Sequence, residues 1–239
     1  MKLSGIFPPM ITPFKENGEV DYEAFVYNVR KWAQTDLEGL LVLGSNSETA
    51  FLREEEKLKL VKLAAANAPG KIIMCGTGME TAEETIELTN KAADLGADCA
   101  LILTPCFYDG AMKTPALAQY FTQVADNVKI PILLYNVPKF THVNMGADLV
   151  AQMAKHKNII GMKDSSGDMP QFATFKRVTK GDVYKRQQQE RLCLQITTNR
   201  PLAWMYITGC SRRGPVIFWE QMKWEEIFLP ELFTGPGFL

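Results

Sequence analysis

The stretch "KIIMCGTGMETAEETIELTNKAADLGADCALIL", residues 71–103, decides the fold. It opens on an apolar run, Lys71–Cys75, and breaks at a glycine-bearing turn. Thr81 then stands three residues before Glu84, the spacing of a capping box at a helix start. Helical periodicity runs from Thr81 to Leu95, and Gly96 supplies a helix stop. A second apolar run, Cys99–Leu103, follows at once. Strand, helix and strand over about 30 residues is the length of a parallel crossover unit, because parallel neighbours need a long connection between them.

The same unit repeats on both sides. Apolar runs ending in turn chemistry occur at Phe7–Phe14, Gly39–Leu43, Lys71–Cys75, Cys99–Leu103, Ile130–Tyr135 and Asn158–Met162. Between them the sequence predicts helices over Asp21–Thr35 (with Asp21 as N-cap), Arg53–Asn67, Thr81–Leu95, Thr114–Asn127, Gly146–His156 and Asp168–Thr179. Strand–helix alternation of this kind makes a parallel sheet with helices outside it. An open doubly wound sheet and a closed (β/α)8 TIM barrel both satisfy it. No G-x-G-x-x-G follows the first strand and no P-loop occurs, which favours the barrel.

Residues 1–181 therefore read as barrel units one to six, and residues 182–239 as an anomalous tail. Leu192–Thr197 and Pro215–Trp219 are the candidates for strands seven and eight. The segment between them carries Pro201 and Arg212-Arg213-Gly214 and makes a poor crossover helix. From about Asp182 the strand–helix pattern degrades, with a polar run over Lys185–Arg191.

Composition excludes several classes of function. With 26 basic and 27 acidic residues the net charge is −1, so there is no electrostatic footprint for nucleic acid. No apolar run reaches the length of a membrane span. Five scattered cysteines without a C-x-x-C pair suit buried thiols in a reduced, intracellular protein. The chain starts directly on a strand-like segment, and a cytoplasmic location is expected, with mitochondria as the alternative. The two histidines, His142 and His156, lack ligand spacing, so no metal is expected.

In parallel α/β folds, ligands bind beyond the carboxyl ends of the strands. The residues just past each run are "GSNSE" (44–48), "TPCFYDG" (104–110), "YNVP" (135–138) and "KDSSGD" (163–168). Lys163 has an ordinary reading as a snorkelling strand-end lysine. Its functional reading is a desolvated amine, neutral part of the time, that attacks a carbonyl to form a Schiff base. Tyr135 is either a strand-end aromatic or a proton shuttle. Ser45 and Asn46 either make a loop or hold a carboxylate with their side chains and backbone N–H groups. Each ordinary reading is adequate alone; their convergence on one rim favours chemistry.

Taken together, "PPMITPF", "GSNSE", "TPCFYDG", "LLYNVP" and "IIGMKDSSGD" resemble the dihydrodipicolinate synthase/N-acetylneuraminate lyase family of pyruvate-type class I aldolases. The wording looks closest to its 4-hydroxy-2-oxoglutarate aldolase branch. The resemblance covers residues 4–181. It implies a (β/α)8 barrel, a homo-oligomer (dimer or tetramer), a 2-oxo acid substrate, and no metal or organic cofactor. It implies that Lys163 is the imine-forming lysine, Tyr135 the proton relay, and Ser45 and Asn46 the carboxylate site, with Ser45 also in the relay. The expected reaction is cleavage of a 4-hydroxy-2-oxo acid to pyruvate and a small aldehyde. The alternatives are a synthase-type or sialic-acid-lyase-type enzyme, or an inactive truncated barrel acting at most as a binding partner for a family-type subunit.

Four positions depart from the family pattern. Ser47 and His142 stand where glycine is usual. Phe107 replaces a tyrosine contributed to a neighbouring subunit, with Tyr108 beside it as a possible substitute. Phe140 replaces the carboxylate-binding arginine of the synthases, which disfavours their substrate.

Overall fold

The structure is a computed structural model that describes residues 3–179 and two strands, Trp204–Thr208 and Val216–Trp219. Five strands form its parallel centre: β1 (Gly39–Val42), β2 (Ile72–Gly76), β3 (Cys99–Leu103), β4 (Ile132–Asn136) and β5 (Ile159–Asp164). They pair in sequence order, all parallel. Six helices follow the expected units: α1 (Tyr22–Ala33), α2 (Glu54–Asn67), α3 (Ala82–Asp94), α4 (Thr114–Asn127), α6 (Ala147–Met153) and α7 (Met169–Val178). A short α5 (Pro138–Thr141) lies directly after β4. Among the described residues, no helix is long and apolar enough to cross a membrane.

The predicted caps form as their chemistry requires. The Asp21 carboxylate accepts the amides of Glu23 and Ala24, and Thr81 Oγ1 accepts the amide of Glu84 at 3.1 Å. Both satisfy amides that the helix start would leave without partners. Gly96 ends the third unit at φ +102, a conformation that any side chain would strain.

Alternation along the strands divides the apolar residues into two layers. Leu41, Met74, Cys99, Leu101, Leu133 and Tyr135 pack inward, joined by Phe7 from the N-terminal segment. Leu40, Val42, Ile73 and Cys75 face α1 and α2, while Ala100, Ile102, Ile132 and Leu134 face α4 and α6. The two thiols predicted to be buried, Cys75 and Cys99, are buried.

Two expectations need correction. The first run, Phe7–Phe14, is not a full strand: it touches the sheet through one parallel bridge, Pro9 to Leu41, and a second bridge joins Phe14 to Val20. Pro8, Pro9 and Pro13 remove amide donors from this run, so it cannot sustain a ladder. The strand expected to be sixth is therefore β5. The second correction concerns the end of the sheet. Strand β6 (Trp204–Thr208) pairs antiparallel to β5, and β7 (Val216–Trp219) antiparallel to β6. The candidate at Pro215–Trp219 is thus a strand of the opposite sense. The connection 209–215 is too short for a parallel crossover. The candidate at Leu192–Thr197 lies outside the described residues, as does the rest of the tail.

Candidate active site

Ser45, Tyr135 and Lys163 converge at the carboxyl ends of β1, β4 and β5. Lys163 is fully buried. Its Nζ lies 4.1 Å from the centroid of the Tyr135 ring, and Tyr135 is its direct partner across the β4–β5 pair. The Tyr135 hydroxyl is 3.4 Å from Ser45 Oγ, either of which could donate. That distance is long for an O–H···O bond, yet such contacts commonly tighten only when substrate binds.

Lys163 reaches the inner face because of an irregularity in β5. Ile132 pairs with Ile159 but Leu133 pairs with Gly161, so Ile160 is an extra residue opposite a single step of β4. Ile159 packs into the outer layer, Ile160 against the inner one, and Met162 again into the outer one. Plain alternation from Ile159 would have turned residue 163 outward, since the side-chain period of a strand is two. The bulge inserts one residue and re-aims the lysine. Burial alone does not mark such a lysine. Lys57 on α2 is also buried, and desolvation holds its amine below the usual lysine range, but it faces Met79 Sδ at 4.0 Å.

The loop after β1 is held under strain. Leu43 has φ +61 and Glu48 φ +53, flanking the single turn Ser45–Ser47. A left-handed leucine is costly and persists only where its surroundings enforce it. Here Gly76 makes the room, since a Cβ there would stand 2.2 Å from the Leu43 carbonyl oxygen. Ser47, where the family pattern has glycine, is buried and donates its hydroxyl to the Met10 carbonyl, while Thr12 Oγ1 donates to the Ser47 carbonyl at 2.8 Å. The serine thereby ties the loop to the N-terminal segment, a role that no local pattern discloses. Asn46 shares the turn and is half-buried; among the described residues its side chain makes no hydrogen bond to Ser45, Tyr135 or Lys163.

The loop after β3 presents Phe107 and Tyr108, 77% and 70% exposed, edge to face at 4.9 Å. Its backbone is fixed by Glu80, whose carboxylate accepts the amides of Cys106 and Phe107 and the Cys106 thiol, each at 3.0 Å. Partial burial acts to raise the Glu80 pKa, but these three bonds outweigh it and hold the group below its usual range. Burial, reinforced by Glu80, pushes the Cys106 thiol up to about 11. Sequence reasoning missed Glu80, because it lies in the turn of a different unit. Phe140 and His142 sit on and after α5, both exposed. His142 has φ +55, the conformation that accounts for glycine in the family pattern.

Parallel strands flanked by helices, with the candidate residues Ser45, Tyr135 and Lys163 gathered where the strands end, are the arrangement of a (β/α)-barrel protein with a candidate site on the carboxyl rim. Residues 2–187 match the Dihydrodipicolinate synthetase family, and the chain belongs to that family. The 4-hydroxy-tetrahydrodipicolinate synthase of Methanothrix thermoacetophila is 38% identical over 177 residues, which is 73% of this chain and 58% of that protein. Dihydrodipicolinate synthase from Thermotoga maritima superposes with a TM-score of 0.71 at 30% identity, covering 75% of this chain and 61% of that one. The chloride-inhibited synthase from Acinetobacter baumannii, solved as a complex with pyruvate, gives 0.68 at 31% identity, covering 74% and 61%. These solved relatives are (β/α)8 barrels, the architecture expected from the sequence. This chain spans about three-fifths of the length of the relatives it matches. The relatives cited are synthases by name, so they support the family and not its 4-hydroxy-2-oxoglutarate aldolase branch.

Proposed function

We propose that this protein is a class I aldolase that handles a 2-oxo acid through an imine on Lys163. The observation that carries the reading is a fully buried amine set 4.1 Å from the centre of the Tyr135 ring, at the rim of a barrel. In this scheme the neutral amine attacks the ketone carbon, and the carbinolamine loses water to give an iminium. Cleavage of the C3–C4 bond of a 4-hydroxy-2-oxo acid sends its electron pair into the iminium, forming an enamine. Tyr135 takes the proton from the 4-hydroxyl, with Ser45 as the next hydroxyl in line. Protonation of the enamine and hydrolysis then release pyruvate and regenerate the lysine. Ser45 and Asn46, on the turn after β1, hold the substrate carboxylate.

A second reading is condensation of pyruvate with a semialdehyde, favoured by the synthase names of the relatives. Phe140, exposed and apolar on α5, stands where the synthase pattern has a carboxylate-binding arginine, which weighs against the condensation reading. A partner of the same kind suits the exposed Phe107–Tyr108 pair, so we propose a homo-oligomer.

Borohydride reduction in the presence of pyruvate tests the chemistry. The expected result is a reduced pyruvyl adduct on the peptide containing Lys163, seen by mass spectrometry. Folded protein without an adduct overturns the reading. Turnover of 4-hydroxy-2-oxo acids against pyruvate plus semialdehyde then separates cleavage from condensation.

A further inference from the structure

Behind the Lys163–Tyr135 pair, on the opposite face of the same two strands, lies a buried polar cluster that no step above uses. Asn136 is fully buried and Asp164 is 5% exposed. Asn136 pairs with Asp164 one step beyond Tyr135 and Lys163. Asn136 Nδ2 donates to Asp164 Oδ1 at 3.0 Å and to Asn144 Oδ1 at 2.9 Å, and its Oδ1 accepts the Met145 amide at 2.9 Å. Both amide donors and the amide oxygen are thus committed. Asp164 Oδ1 also accepts the Ser166 amide at 3.0 Å, and the Ser165 amide donates to the Asn136 carbonyl at 2.8 Å. At the surface end, Asn144 and Gln171 exchange two amide hydrogen bonds of 2.8 and 2.9 Å. The cluster joins β4, β5, the segment after α5, and α7.

The physical case is one of register. A strand carrying an extra residue at Ile160 has a nearby competitor, the unbulged pairing. In that pairing Tyr135 would face Met162, and Asn136 would face Lys163. The apolar residues tolerate the exchange poorly but not specifically. Asn136 and Asp164 distinguish the two outright, because a buried carboxylate left without its donors is costly. Buried polar partners are best attested in this role of fixing register.

We propose that Asn136 and Asp164 are positioning residues that lock the bulged register of β4 and β5, and so hold Lys163 against Tyr135 for reaction. The proposal rests on the imine chemistry proposed for Lys163. The lock acts through geometry, so its loss lowers the rate of the reacting groups rather than the affinity for substrate.

The test uses the full chain with Asp164→Asn, Asn136→Asp and the exchanged pair Asn136→Asp/Asp164→Asn. Turnover is divided by the number of lysines trapped with pyruvate and borohydride. Each single substitution is expected to lower kcat per trapped lysine by about ten- to a hundredfold, the scale of ångström-level misplacement, with KM changed less than about threefold. The exchanged pair restores one amide facing one carboxylate and is expected to recover to within about threefold of the wild type. Folded single variants with wild-type kcat per trapped lysine overturn the proposal, and so does failure of the exchanged pair to recover. Where the single variants do not fold, Gln171→Ala trims the surface end of the cluster. It is then expected to lower kcat per trapped lysine about two- to threefold, and no change overturns the proposal. A wild type that traps no pyruvate sinks the imine reading instead. Amide hydrogen exchange over residues 159–164 then decides the lock alone: protection retained in the single variants overturns it, and faster exchange reversed in the exchanged pair supports it.

Discussion

The pair β1–β2 and the pair β4–β5 are built from the same material to different ends. In the first, Gly39, Leu40, Leu41 and Val42 face Ile72, Ile73, Met74 and Cys75 without interruption. Every position is apolar, both faces are covered, and the register follows from alternation against two cores. In the second, the pairing skips at Ile160 and ends in two polar couples, Tyr135 with Lys163 and Asn136 with Asp164. A regular pair is maintained by burial alone. A pair that must show an amine to the interior departs from regularity and needs side-chain hydrogen bonds to stay there.

The contrast can be broken most completely at its functional end. Lys163→Ala should abolish the borohydride adduct with pyruvate and lower turnover about a thousandfold or more. Deleting Ile160 would make β5 as regular as β2. Because Gly161 then follows Ile159 directly and pairs with Leu133, alternation keeps Lys163 opposite Tyr135 on the inner face, and the adduct should still form. Urea titration of that variant should show a loss of stability, since the Ile160 side chain no longer packs against the inner layer. Tyr135→Phe keeps the ring beside the amine and removes only the hydroxyl. Turnover should fall about a hundredfold or more while the adduct still forms, as loss of a proton relay requires.

In the regular pair the same size of change should read out differently. Ile73→Ala removes a buried side chain from β2 and should cost about 2–5 kcal/mol by urea unfolding. Turnover per trapped lysine should stay within about twofold of the wild type. The smallest effect lies at the Glu80 clamp. Because its carboxyl titrates below the ordinary value of 4.5 in the folded protein, its stabilising contribution is complete above that pH. The contribution is lost as pH falls through the folded value, and Glu80→Gln should flatten the dependence of the urea midpoint on pH in that acidic window. The same substitution should speed alkylation of Cys106 at mildly alkaline pH, since the carboxylate helps hold the thiol near 11.

Much of the candidate site's placement could be read before any coordinates. Lys163, Tyr135 and Ser45 were legible because each ends an apolar run, and a parallel sheet brings run ends to one edge. Asn46 shares the turn, but the lack of a hydrogen bond from its side chain to the other three could not be foreseen. Ser47 and Glu80 were not legible at all. Their partners, Met10 and Thr12 for one and Cys106 and Phe107 for the other, lie dozens of positions away or in another unit. The first run was misread as a strand because its apolar pattern outweighed its three prolines. Its missing amides prevent the ladder that the pattern suggested.

By itself, the sequence determined the order of elements, the parallel sense of the first five strands, the caps at Asp21 and Thr81, and the family. These follow from local periodicity and from motifs written contiguously in the chain. Which face of β5 carries Lys163 was decided only by the tertiary structure. A bulge is a relation between two strands, and the sequence of β5 alone does not say which residue its neighbour will skip. The residues that settle the question, Asn136 and Asp164, meet across the sheet, and their hydrogen bond exists only once the strands have paired.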